Sequence, residues 1–205
     1  MRPMHRLFVA IDFPTPVREQ LALMCFGLKD ARWMEKDQMH LTVRFIGEVE
    51  GSRFLDVRDA LTDVRVAPFD LRLKGMGHFP PRGLPHVVWA GVERTEALVA
   101  LHDKVEAVVV RAGLPPEARN FHPHVTLARV KGAHPKHVAA YLGHNALFSA
   151  GPFGVEAFHL YSSALTPKGA LHRIEASYPL RPPDDGTDWG ATGDASLSSM
   201  KGVRP

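Results

Sequence analysis

One short pattern occurs twice in this 205-residue chain: His40-Leu41-Thr42-Val43 and, 84 positions later, His124-Val125-Thr126-Leu127. In an extended strand alternate side chains share a face, so each copy presents an imidazole beside a hydroxyl, backed by two aliphatics. With 12 histidines in the chain, chance produces only about 0.1 copies of His-x-Thr with apolar residues at both flanking positions. Two copies are therefore a signal, although either one alone reads as an ordinary strand. The residue types suit a phosphodiester opened without a metal. One neutral imidazole can activate a nucleophile while a protonated one gives its proton to the departing oxygen. Two threonine hydroxyls can donate to the non-bridging phosphate oxygens.

Those four side chains need strands to carry them, and residues 1–180 alternate strand and helix signals. Arg6–Phe13 is a short apolar run suited to a buried strand. Thr15 offers an N-cap and Pro16 a first helical position, followed at helical spacing by Val17, Leu21, Met24 and Leu28. Met39–Phe45 is strand-like, and Ser52 is expected to cap a helix carrying Phe54, Val57 and Leu61. Strands are expected at Phe69–Leu73 and His86–Val92, around the turn-rich GHFPPRGLP. Thr95 caps a long helix with Leu98, Leu101, Val105 and Val108 on one stripe, closed by Gly113. Further strands are expected over 124–130, 153–163 and 170–178, with a short helix near 135–142. The order, close to βα-ββα-ββα-βα-ββ, predicts an α+β protein with helices packed outside antiparallel sheets.

Composition narrows the class. Apolar residues at 45% and charged residues at 23% exclude a disordered or fibrous chain over most of the length. The exception is the last 25 residues, 181–205, where Pro, Gly, Ser and Asp dominate; they read as a tail in which Trp189 alone could dock on the body. No run approaches the roughly 20 apolar residues of a membrane span, and the start breaks at Asp12 and Pro14 too soon for a signal peptide. A lone cysteine, Cys25, excludes disulfides and Cys-based zinc sites, and its apolar neighbours predict a core position. A cytoplasmic monomer is expected. The net charge of +3 mildly favours an anionic partner.

Together MHLTVRFIGEV, FHPHVTLARV, the opening RLFVAIDFP, GHFPPRGLPHVVWAGV and FHLYSSALTPKGALH resemble, in order and spacing over residues 6–180, the two-histidine phosphoesterase superfamily. Within it the chain resembles the bacterial and archaeal RNA 2′,3′-cyclic phosphodiesterases once called 2′-5′ RNA ligases. The resemblance implies a bilobal, pseudo-twofold α+β fold with antiparallel sheets facing a central cleft. It implies hydrolysis of 2′,3′-cyclic phosphate ends of RNA or nucleotides to 2′-phosphates, with no metal or other cofactor, and reverse 2′-5′ ligation as a side capacity. It assigns His40 as proton donor to the leaving 3′ oxygen, His124 as proton acceptor that activates water, and Thr42, Thr126 and Arg129 as the phosphate holders. Strict alternation turns Arg129 away from the His124 face, so a bulge or its long side chain has to bring it round. Arg44 shares the His40 face by the same count, which makes it either a helper or a surface charge.

Three rival readings have residues of their own. His122 with His124, or His134 with His137, could begin a metal site, but no third ligand at regular spacing accompanies them. No G-x-S-x-G elbow supports a serine hydrolase. A binder of RNA ends or cyclic nucleotides without turnover could stack bases on Phe79, Trp89 or Phe121, though each of these aromatics reads as core, Trp89 above all within its apolar strand, and a binder would need no pair of proton-transfer groups.

Overall fold

A computed structural model gives the structure of the chain and describes residues 4–166 and 169–183. Residues 184–205, with Trp189 and most of the expected tail, lie outside it. The elements run β1 (Met4–Ile11), α1 (Thr15–Ala22), β2 (Ala31–Trp33), β3 (Leu41–Glu50), α2 (Gly51–Ala60), β4 (Phe69–Phe79), β5 (Val87–Val92), α3 (Glu96–Arg111), β6 (His124–Val130), α4 (Pro135–His144), β7 (Ser149–Val155), β8 (Ala157–Thr166) and β9 (Gly169–Pro179). Among the described residues no helix is long and apolar enough to cross a membrane.

Strand order is β7-β4-β5-β6-β3-β1-β8-β9, with β2 paired to β6, and every pairing is antiparallel. Counted outward from the middle, each half runs through a His-Thr strand and three more strands, β2 being extra on the β6 side, which is the pseudo-twofold arrangement. The two expected sheets are continuous through one residue pair, Leu41 opposite Val125. Both side chains are fully buried.

Helix α3 follows from its residues most directly. The Thr95 hydroxyl accepts from the Leu98 amide at 3.2 Å, and Leu98, Leu101 and Val105 are fully buried against the sheet. Burial of each contributes about 1.5–3 kcal/mol. Two other caps differ from expectation. Pro14, with ψ of 151°, is the N-cap of α1, so Thr15 is already helical; α1 also stops at Ala22, short of Met24 and Leu28. Glu50, not Ser52, precedes α2, and no side chain caps it. The strand expected over 153–163 is two, because the chain leaves β4 after Val155, pairs with β9 from Ala157 and with β1 from His159.

Candidate active site

The seam between the halves places both motifs. Continuing the Leu41–Val125 register by one residue each way sets His40 across from Thr126 and Thr42 across from His124. All four side chains, with Arg129, line one cavity of about 730 Å³. Their aliphatic neighbours point the other way, into the core.

Arg129 reaches the cavity through a bulge. On β6 the pairing with β5 steps from Ala128 to Thr126, which leaves Leu127 unpaired. Leu127 and Ala128, adjacent in sequence, are both fully buried, so Arg129 returns to the Thr126 face. The same device sits at the matching place on β3: pairing with β1 steps from Arg44 to Thr42 and skips Val43. Here it overturns alternation for Arg44, which turns from the His40 face and is 6% exposed. Its guanidinium bonds Glu106 of α3 and the Phe45 carbonyl, donates to the Pro115 carbonyl at 2.7 Å, and lies 3.4 Å from Glu117. Phe45 takes the cavity position that Arg129 holds in the other half. Arg44 is thus a buried strut. Arg44→Met is expected to cost about 3 kcal/mol of stability by leaving Glu106 unpaired, while folded protein keeps kcat. Chemical denaturation and steady-state kinetics check this; a folded, stable, inactive variant would return Arg44 to the site.

The ring of His124 is held on three sides. Its Nδ1 is 2.7 Å from the His122 carbonyl oxygen. A carbonyl only accepts, so Nδ1 carries the hydrogen and the neutral ring offers its lone pair at Nε2. Phe79 stands edge-on at 4.9 Å and Trp89 tilts at 6.2 Å. Trp89 therefore lies beside the site and not in the interior of an apolar strand. Gly77, opposite it on β4, is required there: a Cβ would fall 2.2 Å from the indole. Burial lowers the His124 pKa, and the hydrogen bond to the His122 backbone opposes that.

His40 is the more enclosed of the two. It stacks on Phe8 at 4.8 Å, Phe8 stacks on Tyr161 at 5.0 Å, and the Tyr161 hydroxyl donates to the Asp12 carboxylate at 2.5 Å. His172 of β9 stands edge-on to His40 at 5.3 Å. Burial, and next His172, lower the His40 pKa to about 4; Asp12 and a hydrogen bond to the Gln38 backbone act the other way. His172 and Phe45 carry no signal in the sequence, since only strand pairing and a bulge bring them here.

The other candidates separate from this group. His122 is exposed and supports His124 through its backbone, and His134 caps α4 by accepting from the Lys136 amide at 3.2 Å. Among the described residues no three His, Cys, Asp or Glu side chains converge as metal ligands. Phe121 stacks on His102 at 4.2 Å, and Cys25 packs half-buried at the core edge, where burial raises its thiol pKa to about 11.

Residues 19–166 match the family profile described as the 2′-5′ RNA ligase superfamily. An RNA 2′,3′-cyclic phosphodiesterase of Archaeoglobus fulgidus is 32% identical, over 82% of this chain and 96% of that protein. One of Thermotoga maritima is 34% identical, over 82% and 92%. Among solved structures, E. coli LigT complexed with 3′-AMP aligns with a TM-score of 0.71 at 25% identity, over 87% of this chain and 99% of that one.

Proposed function

The chain belongs to the 2′-5′ RNA ligase superfamily and is a cyclic phosphodiesterase by class, and from that premise we propose that it opens RNA 2′,3′-cyclic phosphate ends to 2′-phosphates by metal-independent acid–base catalysis between His40 and His124. The observation that carries the reading is the seam, where two His-Thr pairs cross at one residue pair and share one cavity.

In the forward direction His124 Nε2 takes a proton from water as its oxygen bonds to phosphorus. The P–O3′ bond breaks, and His40 gives its proton to O3′, leaving a 2′-phosphate and a free 3′-hydroxyl. Thr42, Thr126 and Arg129 hold the non-bridging oxygens, where charge is greatest in the transition state. Proton exchange with solvent resets the two rings. A 5′-hydroxyl in place of water makes a 2′-5′ linkage by the same steps, and the high concentration of water favours hydrolysis.

RNA ending in a 2′,3′-cyclic phosphate, incubated with the protein in EDTA, is expected to yield only the 2′-phosphate at an undiminished rate. A 3′-phosphate product would reverse the assignment of the leaving oxygen. Activity abolished by EDTA and restored by zinc or manganese would replace the two-histidine mechanism with a metal site, and tight binding without turnover would make the protein a binder of RNA ends.

A further inference from the structure

The cavity continues past His40 along a row of three side chains that the reaction above does not use. Ser163 of β8 and His172 of β9 are directly opposite each other in register. Extending the β1–β8 register by one pair sets Arg6 opposite Ser163. Arg6 also shares a face with Phe8 two residues on, and all three line the cavity. Neighbouring strands are about 4.8 Å apart, so the row spans roughly 10 Å. The fold makes little use of it. The enclosed Nδ1 of His172 has no hydrogen-bond partner, and among the described residues no carboxylate forms an ion pair with Arg6. Arg6 is near enough to lower the His172 pKa, after burial.

We infer that Arg6, Ser163 and His172 form a second phosphate subsite, one that seats the phosphate on the 5′ side of the terminal nucleotide. This rests on the assignment of His40 as donor to O3′. That role puts the ribose on the His40 side, and its C5′ carries the next phosphate of the strand. His172 is one ring away from His40, at 5.3 Å, so the row begins next to the side chain assigned to O3′. A guanidinium, a hydroxyl and an imidazole together supply donors for a phosphodiester and no acceptor specific to a base. The substrate class so recognised is an RNA end of any sequence, preferred over a nucleoside cyclic phosphate that lacks the upstream phosphate.

Two probes isolate the subsite: adenosine 2′,3′-cyclic phosphate with and without a 5′-phosphate. The 5′-phosphate is expected to raise kcat/KM about tenfold in the native protein, with a steeper fall as salt is added. Arg6→Gln should bring the ratio close to one by lowering only the phosphorylated probe, and Ser163→Ala should lower it partway. A native ratio near one, or a ratio that survives both substitutions, overturns the subsite. If Arg6→Gln fails to fold by thermal melting, Ser163→Ala alone decides. Failure of the native protein to hydrolyse either probe would instead overturn the proposed function.

Discussion

His40→Ala and His124→Ala are each expected to lower kcat/KM on an RNA cyclic phosphate end by on the order of 10²–10⁴, the range for one general acid or base. The double variant should lose far less than the product, because once one proton transfer is gone the other has little left to assist. A phosphodiester with a nitrophenolate leaving group separates the roles, since that oxygen departs without a proton. It should rescue His40→Ala and leave His124→Ala slow. The opposite pattern would exchange acid and base, and rescue of neither would end the acid–base assignment.

The same two rings set the pH dependence. Burial lowers both pKa values in the free protein, His40 to about 4. The productive form carries one proton on the pair, so kcat/KM should follow a bell whose alkaline limb falls below the ordinary histidine value of 6.5. Above that pH the rate should drop tenfold per unit as the last proton leaves. A bound phosphate places negative charge beside both rings and favours their protonated forms, so the kcat bell should lie on the alkaline side of the kcat/KM bell. Coincident bells would mean that the phosphate does not sit between the rings. The charge of the bound substrate would thus favour on His40 a proton, taken from solvent, that burial opposes in the free protein.

What could be read from residues alone follows the range of the interactions involved. The His-Thr strands, the Thr95 cap and β6 from His124 to Val130 are local, and pattern and capping chemistry set them. Strand alternation then misplaced Arg44 and left Arg129 undecided, because a bulge adds one residue without a residue type of its own. Val43 and Leu127 look like any strand aliphatic. The partners that fix Arg44, Glu106 and Glu117, are 62 and 73 residues away in sequence. His172 reaches His40 only because β9 pairs with β8 and β8 with β1, a topology that no window of sequence contains. Trp89 read as core because its strand is apolar; its place against Phe79, His122 and His124 comes from the pairing of β5 with β4 and β6.

Arg129→Ala is expected to lower kcat/KM by on the order of 10²–10³, the effect of removing one preorganised donor from a developing oxyanion. The two halves of the site are near copies in sequence, yet the position three residues past each threonine differs: Phe45 in one half, Arg129 in the other. Matching bulges bring both into the cavity. A nucleoside 2′,3′-cyclic phosphate is as asymmetric as the cavity, with the flat aromatic face of a base at one end and an anion at the other. Phe45, 48% exposed, offers a face to the first, and Arg129 a fork of donors to the second. On the proposed mechanism this pair would orient the substrate so that O3′ meets His40 and water meets His124. Burial is the main cause that lowers the His124 pKa, and His122 adds to it against a backbone hydrogen bond. Arg129→Ala should accordingly cut the height of the kcat/KM bell and leave its limbs in place, with Arg129→Lys recovering part of the rate through its single charge. A loss under tenfold, or limbs that move with the substitution, would take Arg129 out of the phosphate site and leave the asymmetry to Phe45 alone.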